Sequence, residues 1–137
     1  MSFSVTKRFN FSYGHRLTRT QGRCANYHGH NGVAEILCRK EELDAGNMVV
    51  NFDRISDALK SWIDSTLDHR MILNREDPLV SQLVDGGQKP VLTDGDPTAE
   101  SIARLIYQKA VEAGLPVHEV TVWETPSSSA TIAPRIS

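Results

Sequence analysis

Apolar and polar positions alternate from the start of this chain. Phe3, Val5, Phe9, Phe11 and Tyr13 fall on one side of an extended backbone, with Lys7 the exception. Ser4, Thr6, Arg8, Asn10 and Ser12 fall on the other. A period of two predicts a strand over 3–13 with one apolar face. The alternation returns at 30–39, where Ala34, Ile36 and Cys38 oppose Val33, Glu35, Leu37 and Arg39. Residues 16–27, rich in Arg, Thr, Gln, Gly and Asn, read as a loop. The two strands are expected to pair antiparallel.

The period then changes. After a polar turn at 41–47, Met48 to Phe52 reads as a short buried piece, and a helix is expected from Asp53, a plausible cap. Ile55, Leu59, Trp62, Ile63 and Leu67 recur at helical spacing and make one apolar stripe. Residues 74–97 carry Asp77-Pro78, Gly86-Gly87, Lys89-Pro90 and Asp96-Pro97, and read mostly as loop. A second helix is expected from Pro97-Thr98, with Ile102, Leu105, Ile106 and Ala110 on its stripe and Gly114 at its end. The β-branched run 117–125 predicts a strand, and the tail from Pro126 could add an edge strand. The order strand-strand-helix-helix-strand-strand implies an α+β layout, helices laid on an antiparallel sheet. Without repeats or linkers, residues 1–137 are expected to form a single domain.

Composition narrows the function classes. A net charge of −2 and no basic run argue against a general nucleic-acid binder. With no apolar signal core and no membrane-length apolar run, a cytoplasmic location is expected and no membrane partner. In that reducing setting Cys24 and Cys38 should be free thiols, and Cys38, on the apolar parity, a small core residue.

The chemistry concentrates in Cys24-Ala25-Asn26-Tyr27-His28-Gly29-His30. On an extended backbone His28 and His30 place both imidazoles on one face, and Gly29 permits close approach. With His15 they could form a three-histidine zinc site that keeps one position open. Two other readings stay open: ordinary loop histidines, or a closed structural site with Cys24 as fourth ligand. Beside a cation, the Cys24 thiolate would be stabilised and could act as nucleophile or base. Asp68 next to His69 could orient that ring, or be a surface pair. Glu124 shares the buried parity of Val120 and Val122 and therefore needs a partner, unless the strand frays there. Thr98 and Glu100 suit a helix cap and first-turn acid. His118, Trp62 and Trp123 read as structural.

Together these landmarks resemble the 6-pyruvoyl-tetrahydropterin synthase / 6-carboxytetrahydropterin synthase family. The match runs through Phe9-x-Phe11-x-x-x-His15, Cys24-x-x-x-His28-Gly29-His30, Leu67-Asp68-His69, Pro97-Thr98-x-Glu100 and Trp123-Glu124-Thr125-Pro126. The resemblance implies a tunnelling fold: a four-stranded antiparallel sheet with two helices on one face. Three such sheets would close a barrel and two trimers would stack into a homo-hexamer, with active sites at subunit interfaces. It implies that His15, His28 and His30 hold Zn2+. Cys24 would remove a proton from the side chain of 7,8-dihydroneopterin triphosphate, Asp68 and His69 would relay protons, and Glu124 with Thr98 would bind the pterin. Arg16, Arg19 and Arg23 would meet the triphosphate. The Cys-x3-His-Gly-His spacing is similar to the bacterial 6-carboxytetrahydropterin synthases of queuosine synthesis, whereas Asn31 is more like the pyruvoyl branch. A pterin-binding protein without turnover is the remaining reading, and Cys24 with His69 argues against it.

Overall fold

The computed structural model describes residues 1–135. Two long strands form its centre. β1 (Phe3–His15) and β2 (His28–Lys40) pair antiparallel along their whole length, from Phe3 opposite Lys40 to His15 opposite His28. The alternation read from the sequence sets which side is buried. Phe9, Phe11 and Tyr13 of β1 and Ala34, Ile36 and Cys38 of β2 are buried, while Ser4, Thr6, Arg8 and Asn10 are exposed. β5 (Val117–Thr125) pairs antiparallel with β2 and adds Val120 and Val122 to the same face. β6 (Ser128–Ile132), the tail strand, closes that side.

The other side of the sheet departs from a four-stranded antiparallel arrangement. β3 (Arg70–Asn74) runs parallel to β1, and β4 (Val91–Thr93) runs parallel to β3. The sheet therefore has six strands of mixed direction, ordered β4-β3-β1-β2-β5-β6. A third, short helix, α2 (Leu79–Asp85), lies between β3 and β4. These elements fall largely in 74–97, the stretch expected to be loop. The physical reason is visible in β3. Ile72, Leu73 and Asn74 are buried in succession, so no period of two exists to be read. β4 has three residues and α2 buries none, so neither carries a periodic signal.

α1 (Phe52–Trp62) and α3 (Ala99–Glu112) cover the apolar face, packing on β1 and on β5–β6 respectively. Ile55 and Leu59 of α1 meet Ile102, Ala103, Ile106 and Ala110 of α3 in one core. Each buried leucine or isoleucine side chain contributes about 1.5–3 kcal/mol. α1 starts one residue before Asp53, and its cap is Asn51, whose side chain accepts from the Asp53 amide at 2.8 Å. Of the piece expected to be buried, only Val49 is; Met48 and Phe52 are exposed. Thr98 does cap α3, accepting from the Ser101 amide at 3.1 Å.

Past Trp62 the helix widens into a π turn, Ile63–Leu67, closed by the Asp68 amide on the Ile63 carbonyl at 2.9 Å. Such widenings re-aim the chain that follows. Here the stripe ends on buried Leu67 and the backbone turns out at Asp68. No helix among the described residues is long and apolar enough to cross a membrane.

Candidate metal centre and active site

The β1–β2 register determines the site. Tyr13 faces His30, Gly14 faces Gly29, and His15 faces His28. Alternation then puts the rings of His15, His28 and His30 on the apolar face, at the open end of the core. Their centroids lie 4.5, 5.0 and 5.1 Å apart, at steep mutual angles. One ring nitrogen from each lies within 4.8 Å of the others, and His15 Nε2 is 3.1 Å from His30 Nε2. Gly29 is required by this closeness, since a Cβ there would sit 2.9 Å from the Tyr13 carbonyl oxygen.

Two carbonyls orient the rings. His15 Nδ1 lies 2.8 Å from the Pro97 oxygen and His28 Nδ1 lies 2.7 Å from the Asn26 oxygen. Each bond uses an Nδ1–H, which leaves Nε2 as the free acceptor. Burial of His15 lowers its tendency to protonate, which outweighs the pull of the Pro97 carbonyl; His28 and His30 beside it lower it further. A neutral imidazole is the metal-binding form. Three such donors on one space, without a thiolate, suit zinc or another transition ion with a position left for substrate.

Around this cluster the structure places the remaining candidates differently. Glu124 stands with the triad: its Oε1 is 4.0 Å from His15 Nε2. It lines a cavity of about 290 Å3 together with Thr98 and Leu17. Cys24 is exposed, in a short 3-10 turn (Arg23–Ala25), and is not a member of the imidazole cluster. Cys38 is buried and unpaired, and burial pushes its thiol up to about 11. His118 lies 2.9 Å from Arg39, away from the triad.

The loop between β1 and β2 is anchored at its start by acids that sequence reasoning missed. Arg16 makes a two-bond pair with Asp77, at 2.7 and 2.6 Å, and stacks over Tyr27. Asp96 accepts from the Thr18 hydroxyl at 2.6 Å and the Arg19 amide at 2.9 Å. The Leu17 amide then donates to the Cys24 carbonyl at 2.8 Å, folding the loop back. The available signal was the Asp-Pro pairs, read only as turn punctuation.

Asp68 and His69 lie on the far edge of β1. Asp68 accepts from the Ser12 amide at 2.8 Å, and the His69 amide donates to the Ser12 carbonyl at 2.7 Å. A positive φ of 62° at His69 folds its ring back to 3.4 Å from the Asp68 carboxylate. That conformation is uncommon for a residue with a side chain and is held by the two Ser12 bonds. The His69 side chain is 82% exposed. No hydrogen bond or ion pair among the described residues joins it to Cys24 or Glu124 of the same chain.

Comparison with known proteins completes the picture. The sequence pattern of the family described as 6-pyruvoyl tetrahydropterin synthase matches residues 4–135. The 6-carboxy-5,6,7,8-tetrahydropterin synthase of Rickettsia conorii is 36% identical over 129 residues, covering 89% of this chain and 94% of that one. The enzyme of the same name from Aquifex aeolicus is 32% identical and covers 95% and 97%. A Wolinella succinogenes protein of uncharacterized function superposes with a TM-score of 0.80 at 26% identity, covering 98% and 99%. The 6-pyruvoyl tetrahydropterin synthase of Caenorhabditis elegans superposes at 0.73 with 23% identity, covering 98% and 97%, a likeness of fold.

Proposed function

This chain belongs to the 6-pyruvoyl tetrahydropterin synthase family, and from that premise we propose a zinc-dependent lyase. It converts 7,8-dihydroneopterin triphosphate and water to 6-carboxy-5,6,7,8-tetrahydropterin, releasing acetaldehyde and triphosphate. The observation that carries the chemistry is the convergence of His15, His28 and His30 beside Glu124. The choice of product is supported by the names of relatives 31–36% identical over most of the chain.

The residues divide the work. His15, His28 and His30 would hold the metal, which supplies Lewis acidity towards substrate oxygen when bound. Glu124 accepts the paired N–H donors of the pterin edge, a charge-assisted two-point contact that selects this ring. Thr98 lines the same cavity while capping α3, so the helix start fixes the pocket wall. Cys24 removes a side-chain proton as thiolate. His69, steered by Asp68, returns or relays it.

Asp68 and His69 make no bond to Cys24 or Glu124 among the described residues, and we assign them to the site of a neighbouring copy. The assembly that follows is a homo-hexamer, a dimer of trimers. β4 and β6 are the outer strands of the sheet, and pairing between subunits would cover such edges. Light scattering of the native protein tests this; a stable monomer contradicts it.

A second reading, the pyruvoyl synthase that only eliminates triphosphate, draws on Asn31 after His30. Ser12 and Asn31 are bonded at 2.8 Å next to the Asp68–His69 corner. Incubating zinc-loaded protein with 7,8-dihydroneopterin triphosphate and an aldehyde trap decides between them by mass spectrometry. A 6-carboxy product with trapped acetaldehyde supports the first reading. A 6-pyruvoyl product supports the second.

A further inference from the structure

Among the described residues, one buried side-chain polar atom has no hydrogen-bond partner, the Tyr13 hydroxyl. Tyr13 is 4% exposed. A buried O–H normally finds an acceptor, because leaving it bare forfeits its bonds to water and gains nothing in return. A core that needed only an apolar ring would be served by phenylalanine, as it is at Phe11 on the same strand face. The hydroxyl is therefore kept against the interest of stability, which is the mark of a group with a task.

Packing fixes where the ring points. It stacks on Phe11, with centroids 5.1 Å apart and planes 20° from parallel. Its edge lies across Gly32 of β2, where a Cβ would meet Tyr13 Cε1 at 2.9 Å. Gly32 thus leaves the gap through which a β1 side chain crosses the middle strand. Beyond β2 runs β5, and the pair Val33–Trp123 sets Gly32 and Glu124 as the next residues along. The ring therefore reaches over the sheet from β1 towards Glu124, and it meets His15 and His30 with centroids 5.3 and 5.5 Å away. Burial, and after it the charge of Glu124, push the phenol up, so the hydroxyl stays a donor.

Glu124 has the complementary defect. Its carboxylate accepts no hydrogen bond among the described residues, and its close polar neighbour is His15 Nε2 at 4.0 Å. That nitrogen has no proton to give, because the ring's proton sits on Nδ1 against the Pro97 carbonyl. Nothing in the free chain sets the carboxylate plane, yet a two-point contact with paired N–H donors needs that plane set. A carboxylate offers about four lone-pair sites, so it can take one O–H and still face two ligand donors.

We infer that Tyr13 is a positioning residue for Glu124: its hydroxyl donates to one carboxylate oxygen and aims the remaining lone pairs at the ligand ring. The two groups are not bonded in the free chain; the bond forms as the carboxylate turns from His15 to a ligand. The inference rests on reading Glu124 as the group that holds a pterin edge.

The test is fluorescence anisotropy of neopterin, titrated with the zinc-loaded full chain and with its Tyr13→Phe, Glu124→Ala and doubly substituted forms. Tyr13→Phe should bind about tenfold more weakly, the order for one hydrogen bond to a charged group. It should keep its zinc and melt no lower than the native chain, because no bond of the free protein is removed. In the Glu124→Ala background the same change should alter binding by less than about twofold, since the acceptor is gone. This coupling separates positioning from packing, because a ring that only filled space would act in both backgrounds. Native-like binding by Tyr13→Phe overturns the inference while Glu124→Ala still binds weakly, and Glu124 then keeps its role without Tyr13. An equal loss in both backgrounds also overturns it, as does a lower melting temperature with unchanged binding. If the native chain takes up no neopterin, or Glu124→Ala binds as well as the native chain, the reading of Glu124 falls and this inference with it.

Discussion

The histidine cluster and the Asp68–His69 corner use the same residue type under opposite physical conditions. His15 is 1% exposed, set by an uninterrupted strand register and tied to the Pro97 carbonyl. The His69 side chain is 82% exposed, at the exit of a π turn, and keeps its ring direction through a positive φ. One arrangement is finished within the chain. The other presents its group outward, held by Asp68 and Ser12 behind it. A ligand cluster must hold its donors against mutual crowding, which a rigid ladder does well. A proton carrier has to reach a substrate, which suits an exposed position. The contrast teaches that metal binding should survive damage to the exposed groups, and turnover should not.

The comparison is broken most severely at the cluster. His28→Ala should release the metal and lower turnover by about a thousandfold or more, as expected when one member of a unit is removed. Metal analysis and a rate assay check both. Cys24→Ser or His69→Gln should lower kcat by about 10²–10⁴-fold, the usual share of a positioned acid or base, with metal content unchanged. Full activity in either variant would remove that residue from the mechanism. Glu124→Gln should weaken binding of a phosphate-free pterin by about 10–100-fold, from the loss of charged hydrogen bonds, as read by fluorescence titration.

The smallest effect concerns the anchored loop. Burial alone would raise the Asp96 carboxyl, but donors from Thr18, Arg19 and Asn74 outweigh it and hold it at about 2. A carboxylate depressed in the folded state stabilises fully above its unfolded value, 3.8, and loses that contribution as pH falls towards 2. Asp96→Asn should therefore melt a few degrees lower at neutral pH and nearly level with the native chain near pH 2. An equal deficit at both pH values would show that the charge is not responsible.

What could be read from the sequence followed periodicity. β1, β2, α1, α3 and β5 each repeat an apolar position at 2 or 3.6 residues and bury the faces expected. β3 and β4 escaped because a strand covered on both sides has no alternation, and three residues make no pattern. At the site, His28 and His30 could be placed on one face from spacing alone. Joining His15 to them needed the register, which spacing does not contain. The roles of Asp77 and Asp96 are non-local, linking residues 61 and 78 positions apart, so no local pattern announced them. Nor could the sequence show that Asp68 and His69 fold onto each other, which depends on one left-handed residue.

The central claim is that three histidines, without Cys24, hold the metal and leave a position open. The most direct measurement is the metal content of the native protein and of Cys24→Ala, each loaded with zinc and then freed of excess by gel filtration. The account predicts one zinc per chain in both, with turnover only in the native protein. Loss of zinc from Cys24→Ala would contradict it, because the thiol would then be a fourth ligand and the site closed.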